Sequence, residues 1–169
     1  MREAIIVSGV VISLDIAQNL KDVNSFVKWM QLLDPLLARS AQACLWLIKY
    51  FTHQKMVVAE LLLENPHFEV RESFLNLLQT AVNVTAKNEE TYFFEKNAYF
   101  EFAKDVPQDS LKTVTVHKAA VIRFMKFFFG ELFEGPLRKN LMRIEEYFML
   151  LKDFAQQSFQ ATKWLILEQ

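Results

Sequence analysis

The chain has 169 residues, of which 52% are hydrophobic and 23% are charged. A chain of this size and composition makes about one domain with a substantial core, which excludes intrinsic disorder. The 19 basic and 20 acidic residues give a net charge of −1, and no surplus of positive charge supports a nucleic-acid partner.

The apolar segments are too short to predict a membrane-spanning helix. The longest apolar run, residues 4–14, falls well short of the roughly 20 residues that a span requires. Arg2 before this run resembles the start of a signal peptide, but polar Asp15 and Gln18 follow where a cleavage site needs small residues. We therefore predict a buried helix there and a cytoplasmic protein without a membrane partner, with Cys44 reduced in the core.

In the first half of the chain, apolar residues recur at three and four positions, which is the helical period. The first predicted helix covers residues 3–20, and the second covers residues 24–34 because Pro35 limits it. Two further helices cover residues 36–52 and 54–64. The apolar residues assigned to the second helix are Phe26, Trp29, Leu32 and Leu33.

The fifth helix shows the clearest amphipathic pattern. It begins after Pro66, because the residue before a proline avoids the helical region and ends the preceding helix. Its apolar face consists of Val70, Phe74, Leu77 and Ala81, and its predicted solvent face of Arg71, Glu72, Asn76, Gln79 and Asn83. Arg71 is also expected to reach a neighbouring helix end or carboxylate, at the elbow of a stacked helical pair.

Four more helices are predicted in the second half. They cover residues 89–103, residues 110–129 with Gly130 as C-cap, a helix that opens at Pro136, and a last helix capped by Ser158. The expected buried side of the helix after Pro136 is Leu137, Leu141, Ile144, Phe148, Leu151 and Ala155.

The whole pattern predicts an all-α fold of about nine helices in a single domain, residues 1–169. Successive helical pairs of about 40 residues favour an armadillo-like or HEAT-like α–α superhelix, and a compact irregular bundle is the alternative. The chain ends on an apolar pattern without a stop signal, so we expect a fragment of a longer chain with apolar surface exposed at its ends.

The residues that usually perform catalysis are sparse and scattered. Cys44 lies between Ala43 and Leu45 in a hydrophobic helix, where a thiol stays protonated and inert. The three histidines are far apart in sequence, and the spacings typical of metal sites, phosphate loops and nucleophile elbows are missing. We therefore assign no catalytic residue, no metal and no cofactor to this chain.

The aromatic content is unusual, with 16 phenylalanines. Three of them are consecutive, residues 127–129, and Phe133 follows one turn later. A helix with one narrow buried face cannot bury three successive bulky residues. Either this helix packs on two sides, as solenoid helices do, or Phe127, Phe129 and Phe133 form a partner-binding patch.

Three stretches carry patterns that occur together in one known family. Residues 41–47, AQACLWL, are similar to a C-x-W-L pattern, and residues 61–74, LLLENPHFEVRESF, to LLECP-x-x-EVR-x-x-F. Residues 140–155 are similar to an F-x-QYF-x-LL-x-x-FA helix. Together they resemble the helical region that follows the catalytic domain in large ubiquitin-specific proteases of the fat facets type. The resemblance covers most of residues 25–169, and Asn65 replaces the cysteine of the pattern.

The resemblance implies a non-catalytic, armadillo-like scaffold and protein-interaction segment of a deubiquitinating thiol protease. Its partners would include ubiquitin or ubiquitinated substrates, engaged through the parent chain. The cysteine and histidine boxes of the protease are absent from this sequence, so no catalytic residue can be transferred to it. A stand-alone helical-repeat adaptor, in trafficking or transport, is the main alternative. The third hypothesis is a small enzyme, which would require a pocket with convergent polar groups.

Overall fold

The computed structural model describes residues 22–87, 116–132 and 144–167. These residues form seven α-helices and two π-helical segments, and none of them is in a strand. The elements are α1 (Val23–Leu37), α2 (Ala41–His53), α3 (Lys55–Ala59) continuing into π1 (Glu60–Glu64), α4 (Phe68–Lys87), α5 (Val116–Lys126) continuing into π2 (Phe127–Leu132), α6 (Ile144–Gln157) and α7 (Phe159–Leu167). About nine helices are predicted for the whole chain, and the two at residues 3–20 and 89–103 lie outside the described residues.

Side-chain caps fix where α1 and α2 begin. The Asp22 carboxylate accepts the Asn24 N–H at 3.0 Å and the Ser25 hydroxyl at 2.7 Å. The Ser25 hydrogen bond is the largest of the effects that lower the pKa of Asp22 below its ordinary value. Ser40 accepts the Ala43 N–H at 3.3 Å in the same way. Both caps satisfy N–H groups that have no partner inside the helix.

Two predicted C-terminal helix ends are wrong, and so is one start, because the helix predicted from residue 36 begins at Ala41. Helix α1 continues through Pro35 to Leu37, and the Ala38 N–H closes its last turn on the Asp34 carbonyl at 3.0 Å. Proline is tolerated there because it lies on the exposed side of the last turn and removes only one helical hydrogen bond. Gly130 is not a C-cap, since helical winding continues through it to Leu132 and its φ is not positive.

Helix α4 is the centre of the described fold. It packs against α1, α2, α5, α6, α7 and π1. The four residues predicted on its apolar face are buried, as are Leu75, Leu78 and Val82 on its other sides. Because neighbours surround α4, the predicted exposure of Arg71 and Gln79 is wrong, and both are buried. The predicted all-α class of stacked helical pairs is confirmed.

The buried side predicted for α6 is also wrong in part. Phe148 is 60% exposed, whereas Leu150 and Phe154 are buried. Apolar residues occur on several sides of this helix, so their spacing alone does not identify the side that contacts the core. Leu137 and Leu141 of that prediction lie outside the described residues.

None of the helices in the described part of the chain has the length and apolar character that a membrane crossing requires.

Candidate partner-binding surface

Cys44 lies in the core, as predicted. Its thiol donates a hydrogen bond to the Leu37 carbonyl at 3.1 Å, from α2 to the end of α1. Burial, with a smaller contribution from the Asp34 carboxylate, raises the pKa of the Cys44 thiol to about 12. Nucleophilic catalysis requires a thiolate, and the fraction of thiolate at neutral pH is negligible at this pKa.

Within the three described ranges, no three side chains of histidine, cysteine, aspartate or glutamate are grouped so that they could hold a metal ion. His117 is buried in α5, whereas His53 and His67 are exposed. The three histidines that the sequence places far apart are therefore in different environments as well.

Of the predicted aromatic patch, Phe127 belongs to the core and Phe129 packs against it partly buried. Phe127 is only 5% exposed, and Phe129 is half-buried. Phe128 is fully buried and stacks on Phe154 of α6, with ring centroids 4.2 Å apart. Phe133 lies outside the described residues. Partner binding through Phe127, Phe129 and Phe133 stays a prediction, and little of the Phe127 surface is open to a partner.

The π2 segment explains how consecutive phenylalanines pack. A π-helix bonds residue i to i+5, so it changes which successive residues face a neighbouring helix. Phe127 and Phe128 both contact Phe124, with ring centroids 5.9 and 5.8 Å away. Phe129 meets Phe154 edge-on at 6.1 Å. Phe128 and Phe129 thus join π2 to α6, whereas the Lys55 ammonium of α3 lies 5.4 Å from the Phe127 ring centroid. Contacts with two different helices match the two-sided packing weighed for this segment.

The exposed apolar surface of α1 is the feature that sequence reasoning missed. Trp29, Leu32 and Leu36 are 51, 63 and 44% exposed, and their i, i+3, i+7 spacing places them on one face. We call these three residues the α1 stripe. The adjacent face of the helix, about 100° away around its axis, contains Phe26, Met30, Leu33 and Leu37 and is buried. Of the four apolar residues assigned to this helix from the sequence, Phe26 and Leu33 are buried, and Trp29 and Leu32 are exposed.

A signal for the stripe was present in the sequence. Helix α1 contains two rows of large apolar residues at helical spacing, which is more than one buried face accommodates. The pattern does not reveal which row faces the core, because both rows have the same period. Contact with α4 determines which of the two rows is buried.

Basic residues flank the α1 stripe at both ends. Lys28 is exposed one turn before Leu32, and Arg39 is exposed three residues after Leu36. The nearest acid at the start of the helix, Asp22, holds the helix cap. The surface is thus an apolar ridge with a cation at each end.

Other large apolar side chains are exposed elsewhere, including Phe159 and Ile166 on α7. These two are also on one face of their helix, but the exposed Lys163 lies between them. Single exposed apolar residues are common on protein surfaces and need no functional explanation. The α1 stripe differs from the α7 face because its apolar ridge is uninterrupted.

Arg71 joins two elements within the segment that resembles the protease pattern. Its Nη1 donates to the Asn65 carbonyl at 2.6 Å, across the elbow between π1 and α4. Its guanidinium also lies over the Phe68 ring, 5.8 Å from the centroid. Arg71 therefore reaches a neighbouring helix end, as predicted, although its side chain is buried rather than on a solvent face.

Comparison with known proteins finds a weak similarity to a ubiquitin hydrolase. The chain is 24% identical over 146 residues to ubiquitin carboxyl-terminal hydrolase puf of Drosophila melanogaster. The aligned region is 86% of this chain but 4% of that protein. No family model matches the chain, and no solved structure matches it. The similarity supports a loose link to ubiquitin-specific proteases, and the narrower fat facets type stays a prediction.

Proposed function

We propose that this chain is a non-catalytic scaffold and protein-interaction segment of a large deubiquitinating thiol protease. The observation that carries the proposal is the similarity to a ubiquitin carboxyl-terminal hydrolase along most of this chain. The chain spans a small part of that relative, so the protease activity would belong to another region of the parent chain. Ubiquitin or ubiquitinated substrates would be engaged through that parent chain, in the cytoplasm.

The positions that carry the resemblance support a scaffold role. Cys44 and Leu47 of the first stretch, Phe74 of the second and Phe154 of the third are all buried. In the second stretch, Arg71 holds the elbow between π1 and α4. These residues determine how the helices pack, so a relative that keeps them has kept a helical framework rather than a reactive site.

Labelling with an active-site-directed ubiquitin probe tests the proposal. Lysate of cells that express the natural protein is treated with the probe and blotted with an antibody against residues 22–87. We expect a very large band that shifts upward by the mass of one ubiquitin. Alkylating the lysate thiols before labelling is the control and should abolish the shift. An unshifted band near the 19.8 kDa of this chain would contradict the proposal.

The second candidate is a stand-alone helical-repeat adaptor, which would use an accessible binding face such as the α1 stripe in the same way. The same blot separates the two functions. An unshifted band of about 20 kDa that co-purifies with another protein would support the adaptor.

A further inference from the structure

The α1 stripe has the geometry to receive one additional helix. Trp29 and Leu36 are seven residues apart, so the ridge is about 10 Å long at 1.5 Å per residue. Side chains spaced i, i+3 and i+7 form a ridge that fits between the side chains of an apposed helix. Helix α1 already packs mainly on α4 through the adjacent face, about 100° away around its axis. A helix laid on the stripe would therefore lie beside α1 at the surface without displacing α4.

The flanking charges indicate what kind of helix this would be. Lys28 lies in the second turn of α1, and Arg39 lies two residues beyond its last residue, Leu37. Both lie on the exposed surface. The Asp22 carboxylate accepts the Asn24 N–H and the Ser25 hydroxyl, and the attraction of Lys28 is the smallest of the effects that lower the pKa of Asp22. A partner with acidic side chains at both ends of its apolar face would match this arrangement. A partner with basic side chains there would be repelled.

We propose that the α1 stripe binds an acidic amphipathic helix of a partner protein, whose apolar face covers Trp29, Leu32 and Leu36 and whose carboxylates pair with Lys28 and Arg39. This inference deepens the interaction role proposed above and rests on it. Burial of apolar surface provides the affinity. The two cations select a partner with negative charge and fix its register along the stripe.

The test uses two designed helical peptides of about 18 residues, long enough to extend beyond both cations. They share one leucine face and contain no tryptophan. One carries glutamate at both ends of the apolar face, and the other carries lysine. Binding is followed through the emission of the intact chain, because burial of the exposed Trp29 indole shifts its emission to shorter wavelength. The Trp29→Phe variant should bind the acidic peptide and lose this shift.

Two sets of variants test the two parts of the proposal. Leu32→Ser with Leu36→Ser should weaken binding of the acidic peptide by about tenfold or more. The matched control Phe159→Ser, on the exposed face of α7, should leave it unchanged. Lys28→Glu with Arg39→Glu should weaken it by about tenfold and make the chain prefer the lysine peptide. All the substituted side chains are exposed, so the thermal midpoint should stay the same.

Several results would overturn the proposal. Equal binding of both peptides, or no binding of either, would refute the charge-selected partner. Acidic-peptide binding that appears only after removal of residues 1–21 would assign the stripe to that segment instead. Self-association that the Leu32→Ser change abolishes would assign it to a second copy of the chain. None of these results depends on the ubiquitin-probe experiment, so the deubiquitinase proposal can fail or stand separately.

Discussion

Replacing Arg71 by methionine removes the guanidinium that joins the end of π1 to the first turn of α4. The Asn65 carbonyl, which now accepts at 2.6 Å, would lose its charged donor. An unpaired, partly buried carbonyl costs about 1–3 kcal/mol. The contact over the half-exposed Phe68 ring adds about 0.5–1 kcal/mol. Water can reach the half-buried Asn65, so we expect a total loss of about 2 kcal/mol.

This loss should lower the thermal midpoint by about 4–8 °C, because about 1 kcal/mol corresponds to about 2–4 °C in a chain of this size. Far-ultraviolet circular dichroism during heating and urea unfolding would measure it. Arg39→Met, which removes an exposed arginine just after α1, is the control and should change the free energy of unfolding by less than about 0.5 kcal/mol. If Arg71→Met changes the free energy of unfolding as little as the control does, the elbow does not depend on this contact.

Three further changes test the core. Phe128→Ala removes a fully buried, stacked ring and should cost about 3–5 kcal/mol in urea unfolding, whereas Phe159→Ala on the surface should be nearly neutral. Phe127→Ser should also lower the thermal midpoint, and lost partner binding without destabilisation would instead support the predicted patch. The thiol of Cys44 loses its proton more readily in the unfolded chain, so stability should fall as the pH rises from about 9 towards 12, and Cys44→Ala should lack this component.

The sequence predicts elements well where one buried face and clear stop signals agree. The apolar row predicted after Pro66 is buried in α4, and a second row, Leu75, Leu78 and Val82, is buried as well because neighbours surround this helix. Arg71 and Gln79 are the exceptions, because periodicity describes one helix and not the neighbours around it. A polar side chain on a surrounded helix is buried when it finds a partner, as Arg71 does at Asn65.

Prediction fails where apolar residues occupy more than one side of a helix. In α1, the row that contains Phe26 and the row that contains Trp29 have the same spacing, and only contact with α4 separates them. In α6, the same ambiguity led to the prediction that Phe148 is buried, although Phe154 is the residue that stacks in the core. Around Gly130 the cause is different, since π winding is a response to tertiary packing that local capping rules do not include.

The α1 stripe and the resembling stretches occupy different parts of the chain. Trp29, Leu32 and Leu36 all precede residue 41, where the first of the three resembling stretches begins. Those stretches supply buried and elbow residues, such as Phe74 and Arg71, that any protein with this helical framework needs. Surface residues have no such constraint and can change without loss of the fold. The framework can therefore be shared among relatives while the partner at α1 differs, and the designed peptides test this chain's specificity directly.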